Sequence, residues 1–273
     1  MPRVLIASTT DQYAGIIGGV VPRFFAPGAG QSGTITDLPD DEAQHLTRVL
    51  RLKIGAPVRI FNGRGMEFDA VVESVTKSRA SVAVGAARAP APEPRVAVTL
   101  AQAVLKGDKM DDVVRDAVMM GAAAVQPIVT TRSEVTLATV SRSGRVERWE
   151  RVAIAAAKQS GRATVPAVLE PRTFPDLIAA LGQLALSRPT PPGPGLMLVE
   201  PSAASDALTL GDMTDPPPRE TTIVIGPEGG WDAEELERGA AACRLVTLGG
   251  RTIRADAMAI VALAALFAHW REY

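Results

Sequence analysis

The segment Thr221–Asp232, reading TTIVIGPEGGWD, constrains the fold of this chain more than any other stretch. Ile223, Val224 and Ile225 form a β-branched run bounded by turn residues, the pattern of a buried core strand. Gly226, Pro227, Glu228, Gly229 and Gly230 then break the strand. Asp232 followed by Glu235 is a capping-box pattern, which predicts a helix carrying Leu236, Ala240 and Cys243 on one face. Three glycines and a proline at the carboxyl end of a central strand leave backbone groups bare, so a ligand can approach closely. A second glycine loop, Leu248–Arg254, follows another strand-like run, Leu245–Leu248. Two such loops so near each other point to one composite site.

The same alternation extends upstream. Strands are predicted at 96–100, 124–129 and 196–199, and helices over 110–118, closed by Gly121, and over 145–160. Strands alternating with helices imply an α/β domain whose parallel sheet is covered on both faces. Ala89-Pro90-Ala91-Pro92-Glu93-Pro94 reads as a stiff, polyproline-like linker. Before it lie strand-like runs at 58–61, 68–73 and 80–84, separated by turn signals such as Asn62-Gly63, with one helix near 40–50. The expected organisation is an extension or leader over 1–22, a small β domain over 23–88, a linker over 89–94 and the α/β domain over 95–273.

Composition excludes several classes of function. The 273 residues carry a net charge of −1, which argues against indiscriminate coating of nucleic acid but permits a local basic patch. A lone cysteine, Cys243, rules out an internal disulfide framework and fits a reducing cytoplasm. Two histidines far apart in sequence, His45 and His269, argue against a histidine-rich metal site, so no metal is expected. The apolar run Ala257–Ala268 is too short to span a bilayer and reads as a buried C-terminal helix. Gly28-Ala29-Gly30-Gln31-Ser32-Gly33 matches a dinucleotide fingerprint in letters only. Pro27 leads in, a polar stretch leads out, and no apolar helix follows, so it reads as a loop.

Basic residues are localised. Between Ala43 and Met66 lie Arg48, Arg51, Lys53, Arg59 and Arg64, together with His45 and no acid. Such a surface on a small β module most often meets phosphate backbones. Lys106 and Lys109 are expected to open a helix, where cations oppose the macrodipole, which hints at an anionic partner. Arg132, Lys158, Gln159 and Arg162 are further candidates for contact with RNA.

These motifs together resemble a known family. Arg23-Phe24-Phe25, His45–Arg51 and Phe61-Asn62-Gly63 resemble the N-terminal module of the ribosomal-RNA uridine-N3 methyltransferases. Lys106–Met110, Lys158–Arg162, Ile225–Gly230 and Leu248–Arg254 resemble the catalytic domain of that family, which belongs to the SPOUT class. The resemblance implies a trefoil-knotted parallel-sheet domain, a rare exception to un-knotted topology. It also implies a PUA-like N-terminal barrel, a cytoplasmic homodimer and S-adenosylmethionine as methyl donor. The implied substrate is a uridine in the decoding region of small-subunit ribosomal RNA, free or in the assembled subunit, with Arg23 and the basic residues above as RNA contacts. Two alternatives remain open at this point: a non-catalytic RNA-binding or assembly protein, and a 2′-O-ribose methyltransferase of the same knotted class.

Residue roles follow from the chemistry such a site must perform. Methyl transfer from a sulfonium is an in-line displacement that needs alignment rather than a covalent intermediate. Backbone of Leu198, Val199 and Glu200, of Gly226–Gly230, and of Leu248, Gly249, Arg251 and Ile253 is expected to hold the cofactor. Attack by uridine N3 requires loss of the imide proton, and an arginine beside the base would stabilise the developing anion. Arg254 is the candidate for that role, and Glu228 is the nearby carboxylate considered as proton acceptor. The sequence departs from the family's pattern at Ala257, where a hydroxyl residue is usual.

Overall fold

The computed structural model describes residues 21–187, 193–204 and 206–272, so most of the expected leader falls outside the described residues. The chain divides into two compact units. The first runs to Ala91 and takes in the short segment Gly161–Thr164; the second comprises Pro92–Ser160 and the chain from Val165 onward.

The first unit is a five-stranded sheet built from β1 (Arg23–Phe25), β2 (Ile35–Asp37), β3 (Pro57–Phe61), β4 (Glu67–Val75) and β5 (Ala80–Arg88), in the order β1-β3-β4-β5-β2. Only β1 and β3 pair in parallel. Alternate residues of β4 and β5 face inward, as a strand's two-residue period requires, and join Phe24, Leu46 and Ile60 in one apolar core. The helix expected near 40–50 is two pieces, α1 (Asp40–Gln44) and a π-helical turn over His45–Val49. Arg51, just beyond, has a left-handed backbone (φ 53°), uncommon for a residue with a side chain. Segment Gly161–Thr164 belongs to this unit through the hydrogen bond from the Gly65 N–H to the Ala163 carbonyl, 3.0 Å.

The second unit is an eight-stranded sheet in which every pairing is parallel. Its strands are β6 (Ala97–Ala103), β7 (Ala124–Val129), β8 (Ala167–Val168), β9 (Arg172–Thr173), β10 (Gly195–Leu198), β11 (Leu208–Thr209), β12 (Glu220–Ile225) and β13 (Cys243–Thr247). The order is β11-β13-β10-β12-β6-β7-β8, with β9 also on β7. All four residues of β10 are buried, as befits a strand covered on both faces. The covering helices are α2 (Lys109–Met120), α3 (Leu137–Arg142), α4 (Arg145–Ser160), α5 (Phe174–Ser187), α6 (Ala233–Ala242) and α7 (Ala255–His269). Ile128, Phe174, Met197, Val224 and Trp231 form a core between helices and sheet.

Several local expectations are corrected. Cys243 opens β13 rather than extending a helical face, because α6 ends at Ala242 and the chain turns extended there. Lys109 is the first residue of α2, but Lys106 lies ahead of it in the loop. Among the described residues no helix is long and apolar enough to cross a membrane, and no group of acids, cysteines or histidines could hold a metal ion.

Candidate active site at the carboxyl end of the parallel sheet

Loops leaving β10, β12 and β13 converge with the start of α2 around a cavity of about 290 Å³. A ligand crevice outside the carboxyl ends of parallel strands is the usual placement in open α/β sheets. Leu198, Val199 and Glu200 come from the first loop, Gly226, Pro227, Glu228, Gly230 and Trp231 from the second, and Thr252, Ile253 and Arg254 from the third; Ala255, Asp256 and Met258 at the start of α7, with Ile225 and Lys109, complete the lining.

Trp231 braces this arrangement. Its Nε1 donates to the Leu198 carbonyl at 2.8 Å, and its ring packs on Phe174 with centroids 5.0 Å apart. Gly226 sits under the indole so closely that a Cβ there would lie 2.9 Å from Trp231 Cε2. Gly230 adopts φ +68°, and a Cβ on it would point toward Glu200 Oε1 at 3.3 Å. The capping box predicted for α6 is present: the Asp232 side chain accepts from Glu234 N–H, and Glu235 Oε2 accepts from Asp232 N–H at 3.1 Å. The other oxygen of buried Glu235 accepts the Thr131 N–H at 2.8 Å, tying the loop after β7 to the exit of the glycine loop. Arg132 adds a bond from Nη1 to the Gly229 carbonyl at 2.8 Å.

Charges ring the cavity in pairs. Lys109 Nζ lies 2.9 Å from Glu228 Oε1, which also accepts the Lys106 N–H at 3.2 Å. Burial opposes ionisation of Glu228, but the bonds from Lys109 and from backbone N–H groups outweigh it and hold the carboxyl below its ordinary range. Arg254 closes its planar fork on Asp256, with Nη2 2.6 Å from Oδ2 and Nε 3.1 Å from Oδ1. That hydrogen bond lowers the Asp256 pKa and raises that of Arg254. Lys106 pairs with Glu134.

Eight residues expected to hold a cofactor line the cavity: Leu198, Val199, Glu200, Gly226, Pro227, Glu228, Gly230 and Ile253. Gly229, Leu248, Gly249 and Arg251 do not. A Cβ on Gly229 would instead meet Arg132 Cβ at 3.3 Å, outside the cavity, so of these two glycines it is Gly230 that lines the site. Arg254 and Glu228 line the cavity as expected, but a carboxylate held below its ordinary range is a weak proton acceptor at neutral pH. Lys109, expected among RNA contacts, also lines it. Trp231, Thr252, Asp256 and Met258 were not singled out from sequence; an aromatic residue directly after a glycine loop was the available signal for Trp231.

The basic candidates separate by exposure. Arg48, Arg51, Lys53 and Arg64 are exposed on the first unit, and Lys106, Arg132 and Gln159 on the second; Lys158 is half-buried. Arg23 and Arg162 are corrected to interior positions. Arg23 bonds Glu67 at 2.8 Å and the Arg162 carbonyl at 2.8 Å, and its guanidinium lies 3.9 Å from the Phe61 ring centroid. Its side chain is 12% exposed, and Arg162 is 5% exposed.

Residues 92–267 match the family model of the RNA methyltransferase domain, and residues 38–84 that of the RNA methyltransferase PUA domain. The chain belongs to the RNA methyltransferase family. Among family relatives, the ribosomal RNA small subunit methyltransferase E of Synechocystis is 30% identical over 238 residues, spanning 85% of this chain and 72% of that protein. The enzyme of the same name from Rickettsia conorii is 29% identical, over 82% of this chain and 86% of its own length. A ribosomal RNA small subunit methyltransferase E from Neisseria gonorrhoeae, solved bound to S-adenosyl methionine, superposes with a TM-score of 0.78 at 31% identity, covering 92% of this chain and 98% of that one. The first unit thus contains the family's PUA-like domain and the second its methyltransferase domain.

Proposed function

We propose that this chain transfers a methyl group from S-adenosylmethionine to N3 of a uridine in the decoding region of 16S ribosomal RNA. The observation that carries the reading is the convergence of three strand-end loops, two of them glycine-rich, on one cavity in a chain of this family. The residues present fit the cofactor. Leu198, Ile225, Ile253 and Met258 offer apolar walls to an adenine, Gly226 and Gly230 bring backbone to the cavity wall, and the Glu200 carboxylate complements a ligand that carries positive charge. When bound, that cofactor supplies an activated methyl group.

The chain's own residues hold, orient and polarise. Trp231 fixes the Leu198 and Gly226 loops against each other. Arg254, at the mouth with its side chain 76% exposed, is free to exchange Asp256 for the edge of an incoming base, and its planar fork orients that edge. The exposed cations Arg48, Arg51, Lys53 and Arg64 supply phosphate contacts from the PUA-like domain, and Lys106, Arg132 and Lys158 from the methyltransferase domain.

Strand order β13-β10-β12-β6, with α7 packed on α2 and β12, supports a trefoil knot tied by the last loop and helix. α7 is apolar on every face and leaves Val261 38% exposed, with Met258 and Ile260 half-buried, which supports a second copy of the chain as partner. The proposed action on ribosomal RNA supports the reading of a cytoplasmic protein.

Calorimetry with S-adenosylmethionine tests the site. The parent should bind, and Gly230→Val and Ile253→Trp, each folded by circular dichroism, should not. Absence of binding by the parent, or unchanged binding by both folded variants, contradicts the reading.

A further inference from the structure

Four cations from the sequence motifs stand around the carboxyl end of the sheet, and their surroundings differ. Lys106 is exposed, engaged by Glu134 and outside the cavity lining. Arg132 is exposed and bonds the Gly229 carbonyl. Arg254 lines the cavity but is 76% exposed, its fork closed on Asp256. Lys109 lines the cavity with its side chain 36% exposed, and its Nζ is 2.9 Å from Glu228 Oε1. Its charge also reaches Asp256, whose pKa it helps lower. Glu228, from the loop after β12, therefore pairs with this ammonium, and Asp256, in the first turn of α7, feels its charge.

Position on α2 adds to this. Lys109 is the first helical residue, so the ammonium and the positive end of the α2 dipole present charge of the same sign to the same place. Asp111 and Asp112 in the first turn offset part of the dipole, and an anion beside the ammonium offsets the rest. Glu228 fills the role in the resting chain, yet it retains the Lys106 N–H as a donor when Lys109 turns away. The lysine can be released without orphaning the carboxylate. A cation in a partly enclosed cavity also acts through a lower effective dielectric than one in open water.

Resting on the uridine-N3 reading above, we propose that Lys109 is a catalytic residue whose ammonium stabilises the uracil anion formed as the N3–H bond breaks. The electron pair of that bond stays on the ring, spread over N3 and the two flanking carbonyl oxygens, and the proton passes to solvent water. The anionic N3 is then the nucleophile toward the methyl donor. Glu228 is a positioning residue that holds Lys109 in the cavity until the base arrives. Arg254 orients the base edge, and Lys109 neutralises its charge.

The test compares the parent with Lys109→Gln and Lys109→Arg on small ribosomal subunits, measuring kcat, KM, the pH profile and, by calorimetry, the Kd for S-adenosylmethionine. Lys109→Gln should lower kcat about 100-fold or more, as loss of a preorganised charge-stabilising donor does, while Kd stays within about twofold of the parent. Its rate should keep climbing with pH beyond the point where the parent levels off, because solvent base must supply the anion unaided. Lys109→Arg keeps a cation and should recover at least about tenfold of the loss. An unchanged kcat with raised KM and a flatter salt dependence would overturn the proposal and make Lys109 a phosphate contact. Loss of cofactor binding in both variants would overturn it in favour of a structural role. A parent that binds cofactor but methylates no uridine N3 defeats the uridine reading itself, whereas an active parent with an unimpaired Lys109→Gln variant defeats the lysine's role alone.

Discussion

Gly226→Ala adds one methyl group where the cavity wall has no room for it. An ideal Cβ would lie 2.9 Å from Trp231 Cε2, 3.2 Å from Nε1 and 3.3 Å from Cδ2. The indole cannot give way cheaply: it is 8% exposed, packed on Phe174 and tied by Nε1 to the Leu198 carbonyl. Overpacking of this kind costs about 1–3 kcal/mol. If the ring moves instead, the Leu198 carbonyl loses its donor at a cost of about 1–3 kcal/mol. Either response displaces a cavity loop, because Leu198 and Gly226 both line the site. A loss of about 2 kcal/mol in the methyltransferase domain should lower its melting temperature by about 4–8 °C. The S-adenosylmethionine Kd should weaken at least about tenfold, or about 1.4 kcal/mol. Gly182→Ala in α5 is the control, since its Cβ meets nothing within 4 Å; it should retain binding and gain up to about 1 kcal/mol of helix propensity. Calorimetry and thermal unfolding of the three proteins decide it. A Gly226→Ala protein that melts and binds like the parent refutes the claim that Trp231 locks the loops.

Arg254→Lys keeps the charge but loses the planar fork; it should bind cofactor normally and turn over at least about tenfold more slowly, and a near-normal single-turnover rate would remove the orienting role. Replacing Arg48, Arg51 and Arg64 with Ala should flatten the salt dependence of RNA binding by about one unit of slope per lost phosphate contact; an unchanged slope would reassign them to a solvated face. Arg23→Met strands Glu67, whose side chain is 8% exposed, and should cost the PUA-like domain about 3–5 kcal/mol, read by urea unfolding; a cost under about 1 kcal/mol would mean the pair is solvated. For pH, the lowered carboxyls Glu228 and Asp256, with ordinary values of 4.5 and 3.8, contribute stability that is present above those values and lost as pH falls through the depressed ones. Burial pushes the Cys243 thiol up to about 11 from 9.0, so its contribution is present below pH 9.0 and lost as pH rises toward 11; Cys243→Ala should flatten that alkaline limb in thermal melts.

Local pattern reached the fold because each strand-loop-helix unit carries its own signals. The β-branched run at Ile223–Ile225, the glycines after it and the Asp232–Glu235 box define strand, loop and helix start within one short segment, and all three are present. The short edge strands β8, β9 and β11 were not legible, since each has only two residues and depends on a neighbour's hydrogen bonds. Gly161–Thr164 could not be read as part of the first unit, because long-range pairing with Gly63–Gly65 assigns it there. At the site, backbone-lined loops were legible from glycine content, but the direction each Cα presents to the cavity was not. That is why Gly229, Leu248, Gly249 and Arg251 fall outside the lining while Gly230 stays within it. Charge type alone also could not separate Arg23, engaged by Glu67 and a backbone carbonyl, from the exposed Arg48 and Arg51.

The most direct measurement is the identity of the methylated nucleoside. Purified protein incubated with methyl-labelled S-adenosylmethionine and small ribosomal subunits lacking the modification should place label in 16S ribosomal RNA, and digestion followed by mass spectrometry should recover it as 3-methyluridine. Label recovered as a 2′-O-methyl nucleoside, or no label from a protein that binds the cofactor, contradicts the account.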